Sequence, residues 1–318
     1  MPEWLVERGI GETRCALIDH GEILEARIEL EGMAAAGTVL AARLVNVGSE
    51  GRNAIARDEA GVEYLLPKGA LSLSEGATVA IEVTRQAVPT NETWKRPLAT
   101  ITDQPPTPAP AFTGRELRFP AAVDELGIAG WNDLLEEARS GVVRFAGGEL
   151  RLSPTPAMTL IDVDGSLPLD KLASIGATEA ARAIRRLDIG GSIGIDLPTS
   201  GNKMARQSAA LAIDKILPKP FERTAVNGFG FVQIVRPRVR ASLVELVQDR
   251  ASFEARALLR RTAFEPAGRK RLVAHPSVIT VLEGHRDWLA KVARQVGGEV
   301  QLRRDAALPM SGGYAEKF

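Results

Sequence analysis

Two short apolar runs, AMTLIDV at 157–163 and SIGIDLP at 192–198, flank an alanine- and arginine-rich stretch, ATEAARAIRRLDIGG, that ends in glycine. Apolar runs of this length read as buried strands, and the stretch between them reads as a helix with a glycine at its C-terminal end. A strand, a helix and a second strand predict a crossover that sets the two strands parallel. Nothing else in the chain restricts its folding as strongly, because parallel neighbours finish on the same sheet edge. Side chains alternate along a strand, so Leu160, Asp162 and Asp164 share one face and Ile161 and Val163 take the other. Asp196 occupies the matching position at the end of the second run. Acids converging where α/β sheets place their ligands repel one another unless a cation neutralises them. Carboxylates with open water positions suit Mg²⁺ or Mn²⁺. The plainer alternative makes Asp162 and Asp196 ordinary strand-end acids and Asp164-Gly165 a tight turn, and spacing alone leaves the two readings near even.

The chain has 318 residues, enough for two or three cores at roughly 100–200 residues per domain. With 45% hydrophobic and 25% charged residues it has the balance of a globular protein, which excludes a disordered or fibrous chain. No apolar run approaches the roughly 18 residues of a membrane span, and MPEWLVERGIGE lacks a signal-peptide profile, so a cytoplasmic protein without membrane partners is expected. The single cysteine, Cys15, sits in the apolar run CALI, which excludes an internal disulfide and a thiolate zinc cluster and points to a buried, inert thiol. The formal net charge of zero conceals an asymmetry: residues 1–75 hold 13 acidic and 7 basic side chains, whereas residues 236–271 hold 10 basic and 4 acidic ones. Clustered arginine suits phosphate through its planar fork, and equally suits a solvated helix face.

Along the chain, TRCALIDHGEILEARIEL at 13–30 reads as a hairpin turning at Asp19-His20-Gly21. Five short β-rich runs between Gly37 and Ile101 predict a small closed barrel of the OB type. The proline-dense DQPPTPAPAFTG at 103–114 predicts an extended linker. A helix capped by Asn132 or Asp133 and a Gly-Gly hairpin follow, then the crossover, a helix over NKMARQSAALAIDKIL, and a strand GFGFVQIVRPRVR running into arginines. From about residue 242 helices dominate.

Taken in order, AMTLIDVDG, EAARAIRRLDIGGSIGIDLP and FGFVQIVRPR resemble the catalytic region of the ribonuclease E/G family. That family shows a Thr-x-Ile-Asp-hydrophobic-Asn strand, a helix ending in Leu-Gly-Gly, a strand ending in Ile-Asp, and a Phe-Gly-Leu-hydrophobic-Glu strand followed by spaced arginines. Residues 38–101 resemble its inserted OB-fold RNA-binding domain, and 3–30 the outer segment before it. The resemblance implies an α+β multidomain chain. Residues 1–36 and 115–150 would form a reduced RNase H-like segment split by an OB-fold at 37–102 and the linker at 103–114. A DNase I-like α/β catalytic domain at 151–245 and a small C-terminal α/β domain at 246–318 would follow.

The same resemblance implies a hydrolase, an endoribonuclease that cuts single-stranded RNA to 5′-phosphate and 3′-hydroxyl ends in RNA processing or decay. Asp162 and Asp196 would be catalytic and would hold Mg²⁺, or Mn²⁺, with Asp164 standing as a third metal ligand where the family has asparagine. Arg236 and Arg238 align with the spaced arginines, and with Arg223, Tyr64, Trp94, Lys95 and Arg96 they are the expected RNA-binding residues. Arg185 and Arg186 are weaker candidates on the crossover helix. Ile55 and Leu65 occupy positions where the family carries base-stacking aromatics, which implies weaker RNA binding unless Trp94 compensates. About 55 residues between barrel and catalytic domain are too few for the family's 5′-end sensor. The Cys-Pro-x-Cys zinc clasp is missing, so no zinc is expected and a homodimer through the C-terminal domain would need other contacts. Two rivals remain: an RNA-binding factor with little or no cleavage activity, and a metal-dependent nuclease acting on DNA.

Overall fold

In a computed structural model of the chain, the described residues are 1–50, 52–70, 72–90 and 94–318. They divide into two compact units, each assembled from separated stretches: residues 32–112 with 140–245, and residues 1–31 with 113–139 and 246–318.

The first of these units holds a six-stranded sheet in the spatial order Val142–Phe145, Gly148–Pro154, Thr159–Gly165, Gly191–Asp196, Phe231–Arg236, Glu222–Arg223. Only Thr159–Gly165 and Gly191–Asp196 are parallel, as the crossover requires; the remaining pairs are antiparallel. The connecting helix, Leu169–Arg186, starts earlier than the alanine-rich stretch suggests and packs on a second helix, Lys203–Ile216, whose N-cap Asn202 accepts from the Met204 amide. Ile161, Val163, Ile193, Ile195, Val232 and Ile234 are buried on the helix side of the sheet. Gly176 permits the close approach there, since a Cβ at that position would overlap the Val163 side chain. Alternation turns Leu160, Asp162 and Asp164 to the opposite, exposed side. The hairpin 142–154 departs from the expected boundary at 150: Gly148–Pro154 pairs along the whole length of the Asp162 strand and so belongs to this sheet.

Strands Val39–Asn46, Ala54–Arg57, Glu63–Leu66, Thr78–Arg85 and Leu98–Ile101 close into a barrel in which the third and fifth run parallel, an arrangement compatible with an OB-fold. All five expected runs become strands. The proline-rich segment after them is extended but docked: Thr107 exchanges both backbone hydrogen bonds with Val39, at 2.8 and 2.9 Å, and the Arg240 guanidinium lies 5.5 Å from the Phe112 ring centre.

In the second unit a four-stranded sheet is ordered Glu22–Leu30, Glu12–Asp19, Glu3–Arg8, Arg115–Leu117. Its hairpin turns at His20 and Gly21, both with positive φ, as the Asp-His-Gly signal predicts. Cys15 is buried. Residues 246–318 contribute a three-stranded sheet and the helices Arg250–Ala263, Pro276–Gly284 and Arg286–Val296. Ile10 shares one core with Leu258, Leu272, Val278, Trp288 and Val292. Asn132 and Asp133, expected as caps, lie inside the first turn of the helix Trp131–Ser140; Asp124 caps the short helix before it, Glu125–Ile128, accepting from the Gly127 amide. Among the described residues no helix is long and apolar enough to cross a membrane.

The charge asymmetry of the sequence is resolved inside this unit. Glu7 and Glu12, from the acidic N-terminal stretch, are buried beside Arg14, Arg256 and Arg260. Arg260 donates to Glu7 at 2.9 and 3.0 Å and to Asp124 at 3.0 and 2.6 Å; Arg256 donates to Glu12 at 2.8 Å, and Arg14 to Glu7 at 2.7 Å. Three acids and three arginines thus cancel in a desolvated cluster, so Arg256 and Arg260 are committed to holding the fold and not to phosphate. Removing one member strands its partner's charge, so Arg260→Ala should cost about 3–5 kcal/mol in urea unfolding. Burial pushes the Asp124 carboxyl up, but the Arg260 hydrogen bonds and the Gly127 amide outweigh it and hold the group below its ordinary 3.8. A carboxyl depressed by folding stabilises fully above its unfolded pKa and loses that contribution as pH falls through the folded value. Stability should therefore decline below about pH 4, and less steeply in Asp124→Asn, as followed by urea midpoints across pH.

Candidate active site and nucleic-acid interface

The parallel ladder sets Leu160 opposite Gly194 and Asp162 opposite Asp196. The two carboxylates therefore leave neighbouring strands on the same rung and the same exposed face. Asp164 lies one pleat repeat further, roughly 7 Å along the strand, where its cross-strand partner is Glu149. The expected set of three donors is not assembled: among the described residues no group of three or more His, Cys, Asp or Glu side chains is placed to hold a metal ion. Extending the strand beyond Asp162 carries Asp164 past the end of its neighbour, which stops at Asp196.

Burial, the Asp164 charge and the Asp196 charge together raise the Asp162 carboxyl above its ordinary value, with Arg151 on the neighbouring strand opposing them. The shared rung of Asp162 and Asp196 is the geometry that a metal must fit. Two aligned acids, crowded and solvent-accessible, fit a hydrated divalent cation that takes two ligands from the protein and the rest from water or substrate. They do not fit a cage made wholly of protein ligands.

Gly194 adds a local feature that the apolar run conceals. A Cβ there would lie 2.6 Å from Phe231 Cζ and 3.0 Å from Leu160 Cδ2, so the glycine is a notch over which both side chains close. Phe231 is the cross-strand partner of Asp196. A glycine inside an otherwise β-branched strand was the available signal for this close approach.

The expected arginines are not beside the carboxylates. Arg236 pairs with Gly191, roughly 17 Å along the strand from the Asp196 rung. Its parity with Ile234 turns it to the helix side, where it donates to the Ile189 carbonyl at 2.8 Å. Arg223, opposite Ile234, also faces the helices: it donates to Asp214 at 2.8 Å and lines a groove of about 520 Å³ with Lys203, Arg206 and Leu211. Arg185 and Arg186 lie at the end of the crossover helix on that same side. A strand's alternation, invisible in a motif alignment, decides each of these placements.

Two expected cations do converge. Arg238 is paired with Glu245, and burial together with the Arg238 and Arg85 charges pushes the Lys95 ammonium below its ordinary value. Lys95 also donates to the Pro156 carbonyl at 2.8 Å, tying the barrel to the loop before the Asp162 strand. Arg85, absent from the sequence expectations, donates to the Arg96 carbonyl at 2.8 Å. Three cations and one acid, Glu245, thus gather at this point of the unit. On the barrel's outer face Ile55 and Leu65 are cross-strand partners, flanked by Glu63 held between Arg57 at 2.7 Å and Arg96 at 2.9 Å. Tyr64 has the opposite parity. It is 2% exposed, packs in the barrel core and donates its hydroxyl to Asp58 at 3.0 Å, so its ring offers no face to a base. Trp94 is 38% exposed.

A closed five-stranded barrel and a mixed sheet carrying two acids on one rung define the class of architecture. Among curated proteins the chain is similar to Ribonuclease G of Escherichia coli strain K12 and of Shigella flexneri, in each case 29% identical over 201 residues, covering 54% of this chain and 41% of the relative. It is 28% identical to Ribonuclease G of Salmonella typhimurium strain SL1344 over the same coverage. The chain thus spans less than half the length of the curated relatives it matches. No model of a protein family matches it. These similarities agree with the motif resemblance to the ribonuclease E/G family.

If Asp162 and Asp196 sense each other, Asp196→Asn removes one of the charges that hold the Asp162 carboxyl up. Asp162 should then titrate at lower pH than in the parent, followed by carboxyl ¹³C shifts without divalent ions; an unchanged titration would show that the two acids are independent.

Proposed function

We propose that the chain is a metal-dependent endoribonuclease acting on single-stranded RNA. The observation that carries this reading is the shared rung of Asp162 and Asp196 on an exposed sheet face. The similarity to Ribonuclease G supports the same class of reaction. A divalent ion held by the two carboxylates would polarise a scissile phosphate and lower the pKa of a bound water. The protein's own contribution is positional. The β ladder fixes the spacing of the acids, and Arg151, opposite Asp162 and exposed, balances part of their charge. The patch of Arg85, Lys95 and Arg238 attracts the RNA backbone at a distance from the reacting phosphate. In-line attack by water with loss of the 3′ oxygen leaves 5′-phosphate and 3′-hydroxyl ends.

The rival reading, an RNA-binding factor with little cleavage, draws on the aliphatic Ile55 and Leu65 pair and on the two-ligand character of the acid site. One experiment separates them. Labelled single-stranded RNA should be cut in Mg²⁺ and spared in chelator, with 5′-phosphate product ends. Asp162→Asn and Asp196→Asn should each slow cutting at least about a hundredfold, the loss that goes with several kcal/mol of charge stabilisation, while RNA affinity changes little. Binding without cutting by the parent protein would favour the rival.

A further inference from the structure

The exposed face of the six-stranded sheet carries an apolar surface one pleat repeat from the carboxylate rung. Leu160 is 38% exposed, and Phe231, opposite Asp196, reaches back over the Gly194 notch toward it. A side chain at position 194 would push the ring away, so the glycine gives up strand stability in exchange for this closure. The two side chains add nothing to the buried core on the helix side, which Ile161, Ile195 and Val232 supply.

We propose that Phe231 and Leu160, closed over Gly194, form a stacking platform for one base of single-stranded RNA, that of the nucleotide next to the phosphate at Asp162 and Asp196. The inference rests on the reading of that acid pair as the cleavage site. A nucleotide joins an anion to a planar apolar ring at short range, and this face offers both halves: an acid pair suited to a cation and, anchored on the same rung with its ring over Gly194, an aromatic side chain. An RNA phosphate is compatible with Asp162 and Asp196 only through a shared divalent cation, for which the anion-and-base chemistry of a nucleotide supplies a use, whereas a purely apolar occupant would leave those charges facing it. Arg151, exposed on the same face, is paired with Glu149 at 2.6 Å, so it would have to exchange that partner to meet the backbone of a bound strand. The platform also supplies stacking that the barrel lacks at Ile55 and Leu65.

The test uses the full chain and a single-stranded RNA carrying 5-iodouridine at successive positions, cross-linked by ultraviolet light and mapped by mass spectrometry. In Mg²⁺, Asp196→Asn, expected to bind RNA without cutting it, should cross-link at Phe231; cross-links confined to other residues would overturn the proposal. Phe231→Leu should weaken RNA binding about tenfold, within the range for losing one base stack, and Phe231→Trp should restore it, with thermal midpoints checking that each variant folds. Unchanged affinity in Phe231→Leu would also overturn it. Cross-linking at Phe231 by a parent protein that never cuts RNA in Mg²⁺ would sink the nuclease reading and leave the platform standing. Cutting without that cross-link would do the reverse.

Discussion

The rest of the site depends on one register. Because the crossover makes the strands ending at Asp162 and Asp196 parallel, and because their ladder pairs those two residues directly, a pair of like charges is held on adjacent backbones. Shifting the ladder by one residue would turn one acid to the helix side, where Ile161, Val163 and Ile195 exclude water. The apolar face that Leu169–Arg186 covers fixes the register, and the register in turn fixes the acids. Burial raises the Asp162 carboxyl most, and the charges of Asp164 and Asp196 add to it.

Parity explains most of what surrounds the pair. Phe231 shares the acid face and Arg236 does not, although both belong to one continuous motif; five residues of strand reverse the side. Tyr64 and Leu65 divide in the same way between the core and the surface of the barrel. Arg85, Lys95 and Arg238 gather where the barrel meets the loop before the Asp162 strand, with Glu245 and two backbone carbonyls as their partners.

Element types and the acid pair were legible in the amino-acid sequence, because hydrophobic period and turn chemistry are local. The five barrel strands and the His20-Gly21 turn follow from short local windows, and the parallel crossover from three such stretches in order, strand, helix and strand, over residues 157–198. The strand that the hairpin at 142–154 joins was not legible, since nothing in VVRFAGGELRLSP names it. The arginine-rich stretch 236–271 was ambiguous for a related reason. Whether Arg256 and Arg260 meet phosphate or carboxylate depends on Glu7 and Glu12, some 240 residues away in the chain, and only the fold brings those opposite excesses together. The Gly194 notch was visible as an interior strand glycine, but the rings that close on it were not.

The central claim is that Asp162 and Asp196 jointly hold one divalent ion. Titrating Mn²⁺ into the protein and following free Mn²⁺ by electron paramagnetic resonance tests it without RNA or turnover. The account predicts one site in the parent protein that is lost or greatly weakened in both Asp162→Asn and Asp196→Asn. Equal Mn²⁺ binding by the parent and either variant would contradict it.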